Sequence, residues 1–279
     1  MYKKFIIAFA ILILTLSGGM YPSNALFASD PATASDSQEK EGSILDLLKI
    51  AIQPVGSTMY VWGGGWNEED TAAGIEARSI GLSGQWESFF KKQNKAYDFN
   101  KTKYRIHDGL DCSGYMGWVI YNFFHRTDGE EGYVMKAEKM AKDFAQRGWG
   151  KYTPAKNVKD HRAGDIMSNK GHVYLVIGAC KDGSIVLLHA SPPGVQINGT
   201  VNSKGNRNSE AAKLADRYMK GYYPDWYAKF KPKVLDKSYL RSYDQMRWSL
   251  GEGSYIKDEE QLAKMTADKV LQKIFEKAR

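Results

Sequence analysis

Cysteine is scarce in this chain: Cys112 and Cys180 are the only two among 279 residues. Two thiols allow at most one disulfide, and these two sit in unlike settings, so none is expected. Histidine is also sparse, at five residues. No His and Cys positions carry metal-ligand spacing, so the reading includes no metal and no cofactor. There is no internal repeat, no long low-complexity tract and no block of like charge, and dispersed charge of this kind gives no nucleic-acid patch. The longest apolar run, Phe5 to Leu16, falls short of the roughly 20 residues that cross a bilayer.

What remains is 43% hydrophobic and 13% aromatic, enough for a sizeable core in one or two domains. The formal net charge is +7. Lys3 and Lys4 ahead of the apolar run, and the small residues Ser23-Asn24-Ala25 after it, read as a signal peptide over 1–25. Ala28 marks a second cleavage position. No cysteine follows the run to carry a lipid, so the expectation is a secreted, extracellular protein with no stable membrane anchor after cleavage. Its basic charge suits an anionic bacterial cell wall.

Residues 26–42, "LFASDPATASDSQEKEG", are small and polar and read as a disordered linker. Ser43 caps the helical pattern "ILDLLKIAI", which Pro54 and Gly56 stop. Three glycines among aromatics in "MYVWGGGWN" mark a tight backbone path beside something bulky. Residues 65–107 read as an inserted lobe. Tyr115 to Phe124 is apolar all round, which predicts a buried helix. An amphipathic helix follows over 133–147, then the strands "HVYLVIG", "SIVLLHA" and "GVQI". Helices first and an antiparallel sheet after give an α+β fold with one domain over 43–200. Residues 201–279 read as a helical and aromatic extension packed on it.

Cys112 stands where a loop enters the buried helix. The positive end of the helix dipole favours a thiolate there, and the thiolate is the nucleophile. Asp111 and Ser113 flank it at the cap, and its own amide points where a substrate oxyanion could sit. A nucleophile needs a base. His107, His125 and His161 lie in loops or at a far helix end. If Cys180–Gly183 is a four-residue turn, His172 stands opposite Ser191, and His172 and His189 become diagonal neighbours on one face of the hairpin. One could take the proton while the other orients it. On spacing alone, two strand-end histidines with satisfied hydrogen bonds and no chemistry is the competing reading.

Several blocks, in order, resemble the NlpC/p60 family of cell-wall cysteine peptidases: "YVWGG" at 60–64, "DCSGYMGWVIY" at 111–121, "AGDIM" at 163–167, "GHVYLVIG" at 171–178 and "LLHASPPGVQI" at 187–197. The resemblance implies a papain-like fold. It makes Cys112 the nucleophile, His172 the base and His189 the third, orienting residue. Tyr60 would assist the oxyanion or the substrate, and Asp111 and Ser113 would line the stem-peptide pocket while also capping the helix. The implied activity is endopeptidase cleavage of peptidoglycan stem peptides at the γ-D-glutamyl–diamino acid bond, through a Cys-His-His triad and a thioester acyl-enzyme. The alternatives are a same-fold amidase or acyltransferase, or a non-catalytic cell-wall-binding protein. The sequence departs from the family in the long interval at 65–107 and in the segment beyond 200.

Overall fold

The computed structural model describes residues 42–276. The expected signal peptide, and all of the expected linker except Gly42, lie outside the described residues. Along the chain run β1 (Gly42–Ser43), α1 (Ile44–Ala51), β2 (Met59–Tyr60), α2 (Gly84–Lys91), β3 (Gly109–Leu110), α3 (Cys112–Phe124), α4 (Ala137–Gln146), β4 (Gly150–Thr153), β5 (Ile166–Asn169) and β6 (His172–Ala179). Then come β7 (Ile185–Ser191), β8 (Gly194–Thr200), α5 (Glu210–Tyr222), α6 (Pro224–Lys229), β9 (Val234–Leu235), α7 (Ser238–Arg241), β10 (Asp244–Trp248), β11 (Ile256–Lys257) and α8 (Ala267–Phe275). The fold is α+β. One sheet has the order β3-β2-β8-β7-β6-β5-β10-β4, with β9 beside β8.

Local chemistry explains the helix starts. Ser43 caps α1 in a box with Asp46: the Ser43 hydroxyl accepts from the Asp46 amide, and the Asp46 carboxylate accepts from the Ser43 amide. Asp111 caps α3, its carboxylate accepting from the Gly114 N–H at 2.7 Å. Every α3 residue after Cys112 is buried, because α1 covers one side and β6 and β7 the other. An all-round apolar helix finds its place only in such an interior.

The β6–β7 hairpin sets the histidines. Leu175 pairs with Leu188, and this register, continued, brings His172 opposite Ser191. The turn is five residues long, Cys180 to Ser184, closed by the Cys180 N–H on the Ser184 carbonyl at 2.8 Å. A bulge at Ile177 absorbs the extra residue, so the histidine end keeps the register that a four-residue turn would give. Alternation then sorts the faces. Val186, Leu188 and Ala190 join the core over α3, while Ile185 and Leu187, on the His189 side, join a second cluster with Met167, Tyr174, Val176 and Tyr243.

The segment beyond residue 200 builds part of the main sheet. Strand β10 lies between β5 and β4, antiparallel to both, and β9 runs parallel to β8; β11 pairs with β1, parallel, in a separate two-stranded sheet. An ion pair locks β10 in place. Arg247 reaches both oxygens of Asp165, Nε to Oδ1 at 2.9 Å and Nη2 to Oδ2 at 2.7 Å, and its Nη1 meets Asp160 at 2.9 Å. Asp165 is 1% exposed, so Arg247 is the counter-charge for a carboxylate that water cannot reach.

Candidate active site

The glycine loop is pinned to the start of α3. The Asp111 N–H donates to the Gly64 carbonyl at 3.0 Å, the Gly63 N–H to the Asp111 carboxylate at 3.3 Å, and the Trp66 indole to the Ser113 hydroxyl at 3.0 Å. Gly63 and Gly65 both have positive φ. The bulky neighbour that the glycines admit is the helix itself: a Cβ on Gly114 would lie 2.0 Å from the Gly64 carbonyl oxygen. Both partners there are backbone, so neither can turn aside. Gly114→Ala is expected to cost about 3 kcal/mol through overpacking and to lower the melting temperature by roughly 9 °C in a thermal scan. An unchanged melting temperature would contradict this contact.

Asp111 and Ser113 are both buried and engaged in the cap. The Ser113 hydroxyl donates to Asp111 at 2.9 Å while accepting from Trp66. Burial pushes the Asp111 carboxyl up from 3.8 to about 6, against the hydrogen bonds from Gly114, Ser113 and Gly63 that pull it down. The folded state therefore holds this proton more tightly than the unfolded state. The resulting stability is fully present below about pH 4 and is lost as pH rises through 6, a difference on the order of 3 kcal/mol. In urea titrations, Asp111→Asn should remove that slope. The gap between parent and variant should then differ between pH 4 and pH 7; an equal gap would refute the shifted carboxyl.

Cys112 is half-buried at the first position of α3, and both cysteines are free. Main-chain N–H groups of Val173, Ser113 and Cys112 lean on the sulfur and favour its anion. Burial outweighs them, aided by the Asp111 charge, and pushes the thiol up to about 12. The dipole alone predicts a lowered value; dense surroundings reverse it, and at rest the group is a neutral thiol. The bond from Val173 also makes Cys112 a neighbour of His172, the preceding residue.

His172 and His189 touch directly, Nε2 to Nδ1 at 2.7 Å. The spacing had placed them as diagonal neighbours, and the hairpin brings them into contact. Burial lowers His172 to about 4 and holds His189 well below the usual imidazole range, with His172 and Lys233 adding to the effect on His189. Both imidazoles are neutral at physiological pH. Beyond them, the Asn198 amide meets His189 Nε2 at 2.6 Å.

Tyr60 completes the group. It is buried, lies within electrostatic reach of Cys112 and Asp111, and is held well above the usual phenol range by burial, so it stays a hydrogen-bond donor. The lobe at 65–107 supports it: Phe99 packs edge-on against its ring at 5.5 Å, and the Tyr97 hydroxyl donates to its carbonyl at 2.6 Å. Two further tyrosines close the site from the far segment. Tyr239 packs on His172 at 5.9 Å and Tyr243 at 6.5 Å, and both are within electrostatic reach of Cys112. Sequence reasoning missed these two, together with Asn198. Only the aromatic density beyond residue 200 hinted at the tyrosines.

No residue of the Cys112, His172 and His189 group lines the 850 Å³ cleft between α2 and α6, which is lined by Trp86, Phe90, Tyr223 and Trp226. Among the described residues, the atoms of metal-ligating type that cluster are those of Cys180, Asp182 and Glu210, at the hairpin turn. Asp182 there already accepts from Ser184 and from the Glu210 amide. Compared with known proteins, the chain matches no family model, no curated protein and no solved structure.

Proposed function

We propose that this protein is a cysteine endopeptidase of papain-like, NlpC/p60 type, which hydrolyses peptidoglycan stem peptides at the γ-D-glutamyl–diamino acid bond outside the cell. The observation that carries the reading is a thiol at a helix N-terminus, bonded by the main chain of Val173, whose preceding residue His172 is hydrogen-bonded to the buried His189. The blocks quoted above supply the substrate class, and the basic charge suits a wall.

In this reading the Cys112 sulfur attacks the scissile carbonyl carbon as its proton passes to His172. Because thiol and imidazole are both neutral at rest, proton transfer accompanies attack rather than preceding it. The carbonyl oxygen becomes an oxyanion, met by the Cys112 main-chain N–H and the Tyr60 hydroxyl. Collapse breaks the C–N bond. His172 returns its proton to the leaving amine, and a thioester remains on Cys112. Water then adds to the thioester, giving one proton to His172. The C–S bond breaks, the sulfur recovers the proton and the product leaves as a carboxylic acid.

The test is mass spectrometry of purified muropeptides incubated with the protein. Products cut at the γ-D-glutamyl bond support the endopeptidase. A released amine at another bond, or transfer of the acyl group, would replace it with a same-fold amidase or acyltransferase. Wall binding with no cleavage would replace it with a non-catalytic binding protein.

A further inference from the structure

One chain of hydrogen bonds fixes where the protons of the histidine pair reside. It begins at the main-chain N–H of Lys233, which can only donate. That N–H points at the Asn198 side chain at 2.7 Å, so the facing atom is the amide oxygen, Oδ1. The other end of the amide, Nδ2, therefore faces His189 Nε2 at 2.6 Å. An amide nitrogen donates, so His189 Nε2 accepts, and the proton of a neutral His189 must sit on Nδ1. Nδ1 is the atom that meets His172 Nε2 at 2.7 Å. His172 thus accepts at Nε2 and carries its own proton on Nδ1. Doubly protonated forms fit nowhere in the chain, because each would set two N–H groups face to face.

The anchor is firm. Lys233 immediately precedes β9, whose Val234 pairs with Gly199, next to Asn198 in β8. Its ammonium also donates to the Pro192 carbonyl at 2.6 Å. Asn198 is fully buried, so a turned-over amide would find no water to replace the Lys233 bond.

This arrangement bears on the reaction if His172 is the base for Cys112, as proposed above. With His189 on Nε2, the nitrogen left for the thiol is Nδ1. In the resting chain Nδ1 holds a proton and cannot accept another. We propose that Asn198, held by the Lys233 main-chain amide, sets the tautomers of both histidines and keeps His172 in a resting form that must be reversed before it can take the Cys112 proton. Reversal moves each ring proton to Nε2 and turns the Asn198 amide so that its oxygen faces His189. That turn gives up the Lys233 hydrogen bond, and the cost of losing it is what holds the resting form in place. Asn198 is a positioning residue that acts through His189.

The test reads the tautomers directly. In ¹⁵N-histidine NMR of the parent protein at neutral pH, His172 and His189 should both be protonated at Nδ1. A proton on Nε2 of either would overturn the proposal, with no variant required. Asn198→Asp puts an acceptor oxygen toward both neighbours, so it should move both ring protons to Nε2 and leave His172 Nδ1 free. Alkylation of Cys112 by iodoacetamide, read by peptide mass, should then be faster on the order of 10²-fold. Unchanged tautomers in the variant, or changed tautomers without faster alkylation, would each overturn it. Neither readout uses a peptide substrate. Muropeptides left intact by the parent would sink the peptidase reading while the tautomer result stands.

Discussion

Cys112→Ala is expected to lower the rate of stem-peptide hydrolysis by on the order of 10⁴-fold or more, because removing the nucleophile removes the covalent route. The fold should barely respond. The thiol is small, and α3 is held by the Asp111 cap and by its apolar flanks rather than by the sulfur. Melting temperatures of parent and variant should agree within a few degrees, so lost activity cannot be assigned to unfolding. Cleavage that persists in the variant would remove Cys112 from the chemistry.

Arg247→Ala should produce the largest loss of stability, about 3–5 kcal/mol. The guanidinium neutralises Asp165 with two hydrogen bonds and Asp160 with a third. Without it a carboxylate at 1% exposure is stranded between β5 and β10. A loss of that size is a large share of the roughly 5–15 kcal/mol that holds a typical domain folded. Arg247→Lys should recover only part, since a point charge cannot match the planar fork. Adding Asp165→Asn to Arg247→Ala should recover much of the loss, because the stranded charge is gone. Urea titrations of the four proteins measure this, and a double variant no more stable than Arg247→Ala would contradict the account. The consequence reaches the site, since Tyr239 and Tyr243 lie on the approach to β10.

The local features were legible in the sequence because local chemistry makes them. Ser43 and Asp111 announce their helices as caps, and the apolar run after Cys112 announces burial. Alternation in β6 and β7 identified one face for both histidines. The turn is a residue longer than the four-residue turn that the sequence reading assumes, yet the bulge at Ile177 compensates for it. What escaped depends on distant partners. Strand β10 is five residues with an arginine in its interior, and it becomes a strand because two edges and Asp165 await it. Tyr239 and Tyr243 reach His172 only through that placement. Asn198 reads in sequence as an ordinary strand residue; its meaning comes from the Lys233 amide, 35 positions away. The thiol's proton affinity was also misjudged, because the helix dipole can be read from sequence and the packing density around the sulfur cannot.

The central claim is a thioester on Cys112. Intact-protein mass spectrometry of a muropeptide reaction quenched in acid during turnover tests it most directly. The account predicts a fraction of protein heavier by the mass of the stem-peptide acyl fragment, mapped to Cys112 and absent from Cys112→Ala. Peptide cleavage with no such adduct, continuing in Cys112→Ala, would contradict it.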